Sequence, residues 1–190
     1  MKNKLDLRVQ KTHKALCDTF LALMGEKDFD SITINELCDR AMIRRATFYT
    51  HFSDKYDFFA FFVRQIQNKF HDDYKQQVAY EKSSGSSYLI YMLRETFEFL
   101  NAHKKIVEKT LTSNALSTIV EILSDEIYNN MLTNYDTEIL PESLKDSSPE
   151  ILISFYTGGI VNILKYWLHH KNKFTEEELL EEVQRFLPAV

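Results

Sequence analysis

Apolar residues recur every three or four positions along most of the chain, which is the spacing of one face of an α-helix. The first such stretch runs from about Asp6 to Met24, with Leu16, Phe20 and Leu23 on one side. Only 4 Gly and 3 Pro interrupt the 190 residues. The pattern therefore predicts an all-α protein of about nine helices.

Turn and capping signals divide the rest of the chain into further helices. Thr33 with Glu36 and Thr175 with Glu178 have the spacing of a capping box, and Ser148-Pro149 is typical of a helix start. The predicted helices after the first are about Ile34–Ala41, Arg45–Thr50, Ser53 (cap) to Ala79, Tyr88–Ala102, Lys104–Thr112, Ser113–Asn134, Pro149–His170 and Thr175 (cap) to Pro188.

The segment ITINELCDRAMIRRATFYTHFSDK, residues 32–55, indicates function most clearly. It predicts two short helices joined by a tight turn over about residues 32–51, with Leu37 and Phe48 facing inward. The side chains left outward are Arg44, Arg45, Thr47, Tyr49, Thr50 and His51. Cationic groups bind phosphates, and hydroxyl and guanidinium groups can read base edges. This is the pattern of a helix-turn-helix, and it predicts binding to double-stranded DNA.

The net charge of −5 is unevenly distributed along the chain. Residues 1–55 carry 10 Lys and Arg against 8 Asp and Glu, a balance of +2, and the remainder carries 13 against 20, or −7. Phosphate binding depends on local cationic clusters rather than on net charge. The division suggests a DNA-facing N-terminal part on an acidic body.

The segment TINELCDRAMIRRATFYTHFSDKYDFF, residues 33–59, resembles the TetR/AcrR-type transcriptional regulators. FYTGGIVNILKYWL, residues 155–168, is similar to the eighth helix of many AcrR-like members. The resemblance implies a helix-turn-helix DNA-binding domain over residues 1–69 and an effector-binding and dimerisation domain over residues 70–190. It also implies a homodimer that binds a pseudo-palindromic operator.

Individual DNA contacts follow from the same resemblance. It implies that the DNA-binding residues are Thr33, Arg44, Arg45, Thr47, Tyr49, Thr50, His51 and Lys55. Arg44, Arg45 and Thr47 would reach base edges or nearby phosphates. Thr33, Tyr49 and His51 would bind phosphates, and Lys55 would clamp the backbone. Many members have Gly-Val-Ser in the turn, whereas this chain has Met42-Ile43-Arg44. Either Met42 adopts a strained left-handed conformation, or the turn takes another shape.

The C-terminal part carries two further expectations. An effector pocket for a small apolar or amphipathic molecule is predicted at Phe62, Ile66, Tyr88, Tyr91, Met92 and Phe97, although aromatic residues at helical spacing also form plain core. The predicted dimer interface comprises Ile151, Phe155, Gly158, Gly159, Ile160, Ile163, Leu164, Leu179, Leu180, Val183 and Phe186. The stretch 151–168 is apolar enough for a membrane helix, but Ser154, Asn162 and Lys165 favour a dimer helix.

Other classes of function lack a sequence signal. No nucleophile has a plausible base and no Gly-rich phosphate loop is present, so neither an enzyme nor a cofactor is expected. His169 and His170 are adjacent on a helix and point about 100° apart, so no metal site is expected. Cys17 and Cys38 suggest free thiols in a reducing, cytoplasmic location. The predicted function is a repressor released by an effector; the alternative is an activator or co-regulator controlled by a protein partner.

Overall fold

The computed structural model describes residues 7–78, 85–134, 146–170 and 173–186. These residues form α-helices and a single 3-10 turn, without a strand, which confirms the all-α prediction. The helices are α1 (Leu7–Glu26), α2 (Ile34–Arg40), α3 (Arg45–His51), α4 (Lys55–Val78), α5 (Gly85–Ala102), α6 (Lys104–Leu111), α7 (Leu116–Thr133), α8 (Pro149–His169) and α9 (Glu176–Phe186), and the 3-10 turn is Phe29–Ser31.

The start of α4 differs from the prediction by one residue. Asp54, rather than Ser53, caps the helix, because its Oδ1 accepts hydrogen bonds from the backbone N–H groups of Tyr56 (2.8 Å) and Asp57 (2.9 Å). The Asp57 carboxylate in turn accepts from the backbone N–H of Ser53 at 2.8 Å. This reciprocal pair fixes the point at which α4 leaves α3.

The chain divides into two compact units, each described separately below. We call the first, comprising the described residues up to Phe62 together with His103–Ile119, the head unit. We call the second, comprising the described residues of Val63–Ala102 and those from Val120 onward, the body unit. Helix α4 continues in sequence from the head unit into the body unit.

The head unit has an aromatic core around Phe20. The Phe20 ring meets Phe58 edge-on, with centroids 5.2 Å apart at 87°, and Phe29 at 6.2 Å and 88°. Leu16 and Leu23 of α1 are fully buried beside them. Edge-to-face rings of this kind contribute about 0.5–1.5 kcal/mol per pair beyond the burial of their area. The core thus holds α1 against the start of α4.

Helix α6 belongs to the head unit although it follows α5 in sequence. Lys109 Nζ donates to the Gly25 carbonyl at 3.2 Å, and Ser113 Oγ donates to Asp30 Oδ2 at 2.9 Å. Val107 of α6 is buried. Nothing in the sequence indicated that α6 would pack in the head unit after α5 had contributed to the body unit. The functional boundary placed between residues 69 and 70 remains a prediction.

The body unit has its own core, built mainly by α5, α8 and α9. Phe97 packs against Trp167 with ring centroids 4.8 Å apart. The core members are Leu93, Phe97, Trp167, Leu179, Leu180 and Val183. Arg64 and Glu126 form a two-pronged ion pair at 2.9 and 2.7 Å, with Glu126 buried. This pair joins α4 to α7.

Part of the predicted dimer interface on α9 belongs to the core of the single subunit, and its role in a dimer stays a prediction. Leu179, Leu180 and Val183 are buried inside the subunit, where α9 packs on α5. Ile160, Ile163 and Leu164 are also partly buried against this core. An apolar residue satisfies an internal core and a subunit interface equally well, so apolarity alone could not distinguish the two.

Candidate DNA-binding surface and body cavity

Helix α3 is fixed on the head unit by its two phenylalanines. Phe48 is fully buried and Phe52 nearly so, and their rings lie 5.7 and 5.0 Å from that of Phe58. In α2, Thr33 Oγ1 accepts from the Glu36 backbone N–H at 3.2 Å, which confirms the predicted cap. The Glu36 carboxylate pairs with Lys27 at 2.6 Å. These contacts determine which side chains of α3 point outward.

The sequence left two conformations open for the turn between α2 and α3, and the structure shows the strained one. Met42 has φ of 54°, so it occupies the left-handed region that favours glycine. Its N–H donates to Asp39 O at 3.2 Å and that of Ile43 donates to Cys38 O at 2.9 Å, the hydrogen bonds of a Schellman helix end. The Met42 side chain is 92% exposed, so no packing contact compensates the strain.

The predicted recognition residues lie mostly on the outer side of α3. Arg44 precedes the helix and makes no side-chain cap, and its side chain is exposed. Tyr49 is 56% exposed. Arg45 donates to Asn35 Oδ1 at 3.0 Å, which orients its guanidinium along α2. Thr33 and Thr50 are exposed, and Thr47 is half-buried.

His51 is less exposed than Arg44, Arg45, Tyr49 and Thr50. It is half-buried, and its ring meets that of His13 edge-on at 4.9 Å. His13 Nε2 is buried and has no hydrogen-bond partner among the described residues. Burial, followed by the charge of neighbouring His51, lowers the pKa of His13. A proton on His13 would therefore be poorly accommodated.

Lys55 has an internal role that the sequence did not indicate. Its ammonium donates to the carbonyls of Phe29 at 2.8 Å, Ile32 at 2.9 Å and Asp30 at 3.3 Å, and lies 4.5 Å from the Phe29 ring centroid. Burial is the main cause that lowers the pKa of Lys55. The lysine thus ties the start of α4 to the loop before α2, and its contact with a phosphate remains a prediction.

The body unit contains a cavity of about 50 Å³. Its walls are Gln67, Tyr88, Leu89, Met92, Leu93, Thr96, Ile127, Asn130, Met131, Ile160 and Leu164. Tyr88 and Met92 are therefore the predicted pocket residues that line it. Phe97 instead packs in the core, and the Tyr91 ring is tilted against that of Tyr74, with centroids 5.1 Å apart. Phe62 belongs to the head unit, and Ile66 is not on the wall.

Gln67 is the wall residue that sequence reasoning should have found. It is only 8% exposed, and its Oε1 has no hydrogen-bond partner among the described residues. Buried polar groups are normally paired. Val63, Gln67 and Phe70 recur at helical spacing on the buried side of α4. A lone amide within an otherwise apolar stripe was the available signal.

Helix α8 presents apolar side chains at the surface. Ile151 is 71% exposed and Phe155 is 75% exposed, while Phe186 of α9 is 79% exposed. A Cβ added at Gly158 or Gly159 would have no atom of another described segment within 4 Å. Helix α8 is long and apolar enough to cross a membrane by length and composition, and 17% of its most apolar window is buried. Exposed apolar surface of this kind is typical of protein–protein interaction sites.

Two family comparisons cover most of the chain. Residues 17–60 match the family described as bacterial regulatory proteins, tetR family, and residues 88–189 match a transcriptional regulator C-terminal region. The second match alone spans more than half of the chain. The chain belongs to the TetR family of DNA-binding transcriptional regulators.

Individual relatives agree with this assignment. A helix-turn-helix transcriptional regulator from Bacillus subtilis, YxbF, is 43% identical over 53 residues, which are 27% of this chain and 14% of that protein. The crystal structure of Lin0861 from Listeria innocua matches with a TM-score of 0.70 at 19% identity, covering 98% of this chain and 94% of that one. FadR from Bacillus subtilis, solved with stearoyl-CoA, matches with a TM-score of 0.56 at 13% identity, covering 91% and 96%. YxbF and FadR are both named as transcriptional regulators, and the two solved structures show that the fold is shared.

Proposed function

We propose that this protein is a homodimeric repressor that binds a pseudo-palindromic operator and is released from it by a small apolar or amphipathic effector. One observation carries the DNA-reading part. The side chains on the outer side of α3 are cationic, hydroxylated or aromatic, while Phe48 and Phe52 of the same helix are buried. Such a helix can enter a major groove with Arg44, Arg45 and Thr47 toward the base edges.

The exposed stripe on α8 supports the dimer. Ile151, Phe155 and Gly158 follow one another at spacings of about one turn on the exposed side of the helix. In a two-fold dimer the same stripe would meet its copy, and glycine would let the two backbones approach. Phe186 would add to this interface from α9. Gly159 is exposed beside Gly158 and would belong to the same interface. The proposal leaves out the predicted interface residues that pack in the internal core, which are Ile160, Ile163, Leu164, Leu179, Leu180 and Val183.

The cavity in the body unit supports release by a ligand. Helix α4 carries both Lys55, which holds the loop before α2, and Gln67, which lines the cavity. A ligand that favours one position of α4 would bias the spacing of the two recognition helices. FadR, which shares the fold, was solved with a long-chain acyl-CoA, and this agrees with an apolar ligand class for the fold.

DNA binding to the region upstream of its own coding sequence tests the proposal. Fluorescence anisotropy would compare that duplex with a scrambled one at two salt concentrations, with sedimentation giving the number of subunits bound. Tight, selective binding of two subunits, weakened by raised salt, is the expected result. Equal and weak binding to both duplexes would contradict the proposal.

The second candidate is an activator or co-regulator that docks a protein partner. The exposure of Phe155 and Phe186 is the observation that favours it, because these side chains would fit another protein as well as a second copy. This candidate predicts a subunit that stays monomeric alone and gains operator affinity only when the partner is added. A stable dimer in the absence of any partner would count against it.

A further inference from the structure

We propose that the cavity of the body unit binds the uncharged, hydroxyl-bearing end of an apolar molecule, which donates a hydrogen bond to Gln67 Oε1. This inference rests on the proposed function, because it specifies the chemical class of the effector. The inference specifies which chemical group of the effector contacts α4, since Gln67 belongs to that helix.

The unpaired oxygen of Gln67 is the first observation. More than nine-tenths of the side chain is buried, it lines the cavity, and Oε1 lacks a partner among the described residues. An unpaired buried acceptor destabilises the unliganded protein. A ligand that donates a hydrogen bond to this oxygen would remove that cost. The free energy of this hydrogen bond would therefore contribute to ligand binding.

The other polar groups on the wall already have partners. Tyr88 donates its hydroxyl proton to Asn130 Oδ1 at 3.0 Å, so His71 Nδ1, 3.2 Å from the same hydroxyl, must be the donor to it. Thr96 donates to the Met92 carbonyl at 2.7 Å. Gln67 is thereby the acceptor toward which a ligand donor would be directed.

The described walls carry no charge that would favour an ionic group. Among the residues that the structure describes, none on the wall is acidic or basic. Burial raises the pKa of Tyr88 to about 12, and burial, followed by Lys75, lowers the pKa of His71, so both are neutral at pH 7. The carboxylate of Glu126 on α7 is held by Arg64. A carboxylate or ammonium group would lose its hydration in this cavity without gaining a counter-ion.

A pair of isomeric probes separates donor from acceptor. 1-Hexanol and 1-methoxypentane have the same atoms, but only the alcohol donates a hydrogen bond. Binding would be followed in the full-length protein through the ¹³C-labelled methyl groups of its methionines. Met92 and Met131 report from the wall, and Met24 and Met42 of the head unit serve as internal references.

We expect both wall methyl signals to shift with 1-hexanol, and the alcohol to bind about fivefold more tightly than the ether, the factor that one hydrogen bond contributes. Gln67→Leu should remove this preference and raise the melting temperature of the unliganded protein. Gln65→Leu is the matched control, since Gln65 is exposed on the same helix. This control should retain the preference.

Equal affinity for the two isomers, tighter binding of the ether, or an unchanged preference in Gln67→Leu would overturn the proposal. Shifts confined to the head-unit methyl groups would do the same. Anisotropy of the operator complex is recorded separately with 1-hexanol present. If the alcohol binds as expected and the operator complex persists, the ligand assignment stands and the release step of the proposed function fails.

Discussion

The head unit and the body unit distribute their apolar and polar side chains between interior and surface in different ways. The head unit buries its aromatic rings and turns arginine, threonine and tyrosine outward on α3. The body unit exposes Phe155 and buries the amide of Gln67, whose oxygen has no hydrogen-bond partner in the part of the chain that the structure describes. The head unit thus has a buried aromatic core and a polar outer surface on α3. The body unit has an exposed apolar stripe and an unpaired buried amide oxygen among its described residues, and the proposed dimer and ligand would each cover one of these features.

The largest expected effect comes from the exposed stripe of α8. Phe155→Glu should leave the subunit folded, because the side chain is 75% exposed, but place two charges against each other in the proposed dimer. Loss of the linked second head should weaken operator binding by about a hundredfold or more. Sedimentation velocity and anisotropy would measure the two effects. Leu132→Glu, at an exposed leucine of α7, is the control, and a variant that remains dimeric would exclude this stripe.

The internal role of Lys55 predicts a loss of stability. Lys55→Met should lower the free energy of unfolding by about 1–3 kcal/mol, since the carbonyls of Phe29 and Ile32 would lose a charged donor. Urea denaturation measures this loss, with Lys104→Met at an exposed position of the head unit as the control. Equal stability of the two variants would mean that the ammonium contributes to DNA contact alone.

Position 42, in the turn before α3, should favour glycine over the natural methionine. Met42→Gly should raise the free energy of unfolding by about 0.5–1 kcal/mol, the balance between left-handed strain relieved and chain entropy added. Met42→Ala retains the strain and should match the natural protein, so it serves as the control in thermal unfolding. A glycine variant less stable than the alanine variant would contradict the strained geometry.

A smaller effect is expected on acidification. Because the pKa of His13 is lowered from 6.5 in the folded protein, the unfolded chain takes up the proton first. The contribution of neutral His13 to the free energy of unfolding is therefore fully present above pH 6.5 and is lost as the pH falls toward the pKa of His13 in the folded protein. Melting temperatures between about pH 7.5 and 5.5 should fall less in His13→Phe than in the natural protein. His169→Phe, at an exposed position, is the control, and parallel curves for all three proteins would contradict the assignment.

The fold could be predicted from the sequence because helical periodicity and capping residues act locally. The Thr175–Glu178 capping box forms as expected, with hydrogen bonds of 3.2 and 2.8 Å, and the outward set on α3 follows from the burial of Phe48. What could not be predicted depends on contacts between distant segments. The return of α6 to the head unit, the ammonium of Lys55 against loop carbonyls and the burial of Leu180 all require the folded chain.

The measurement that tests the central claim most directly compares Arg44→Ala with Arg40→Ala on the operator and on a scrambled duplex. Arg44 is exposed at the start of α3, whereas Arg40 of α2 is held by Glu26 at 2.6 Å. If the outer side of α3 reads DNA, Arg44→Ala should lose about 1–3 kcal/mol of operator affinity and little on the scrambled duplex. Arg40→Ala should change neither affinity. Unchanged operator selectivity in Arg44→Ala would contradict the assignment of this surface.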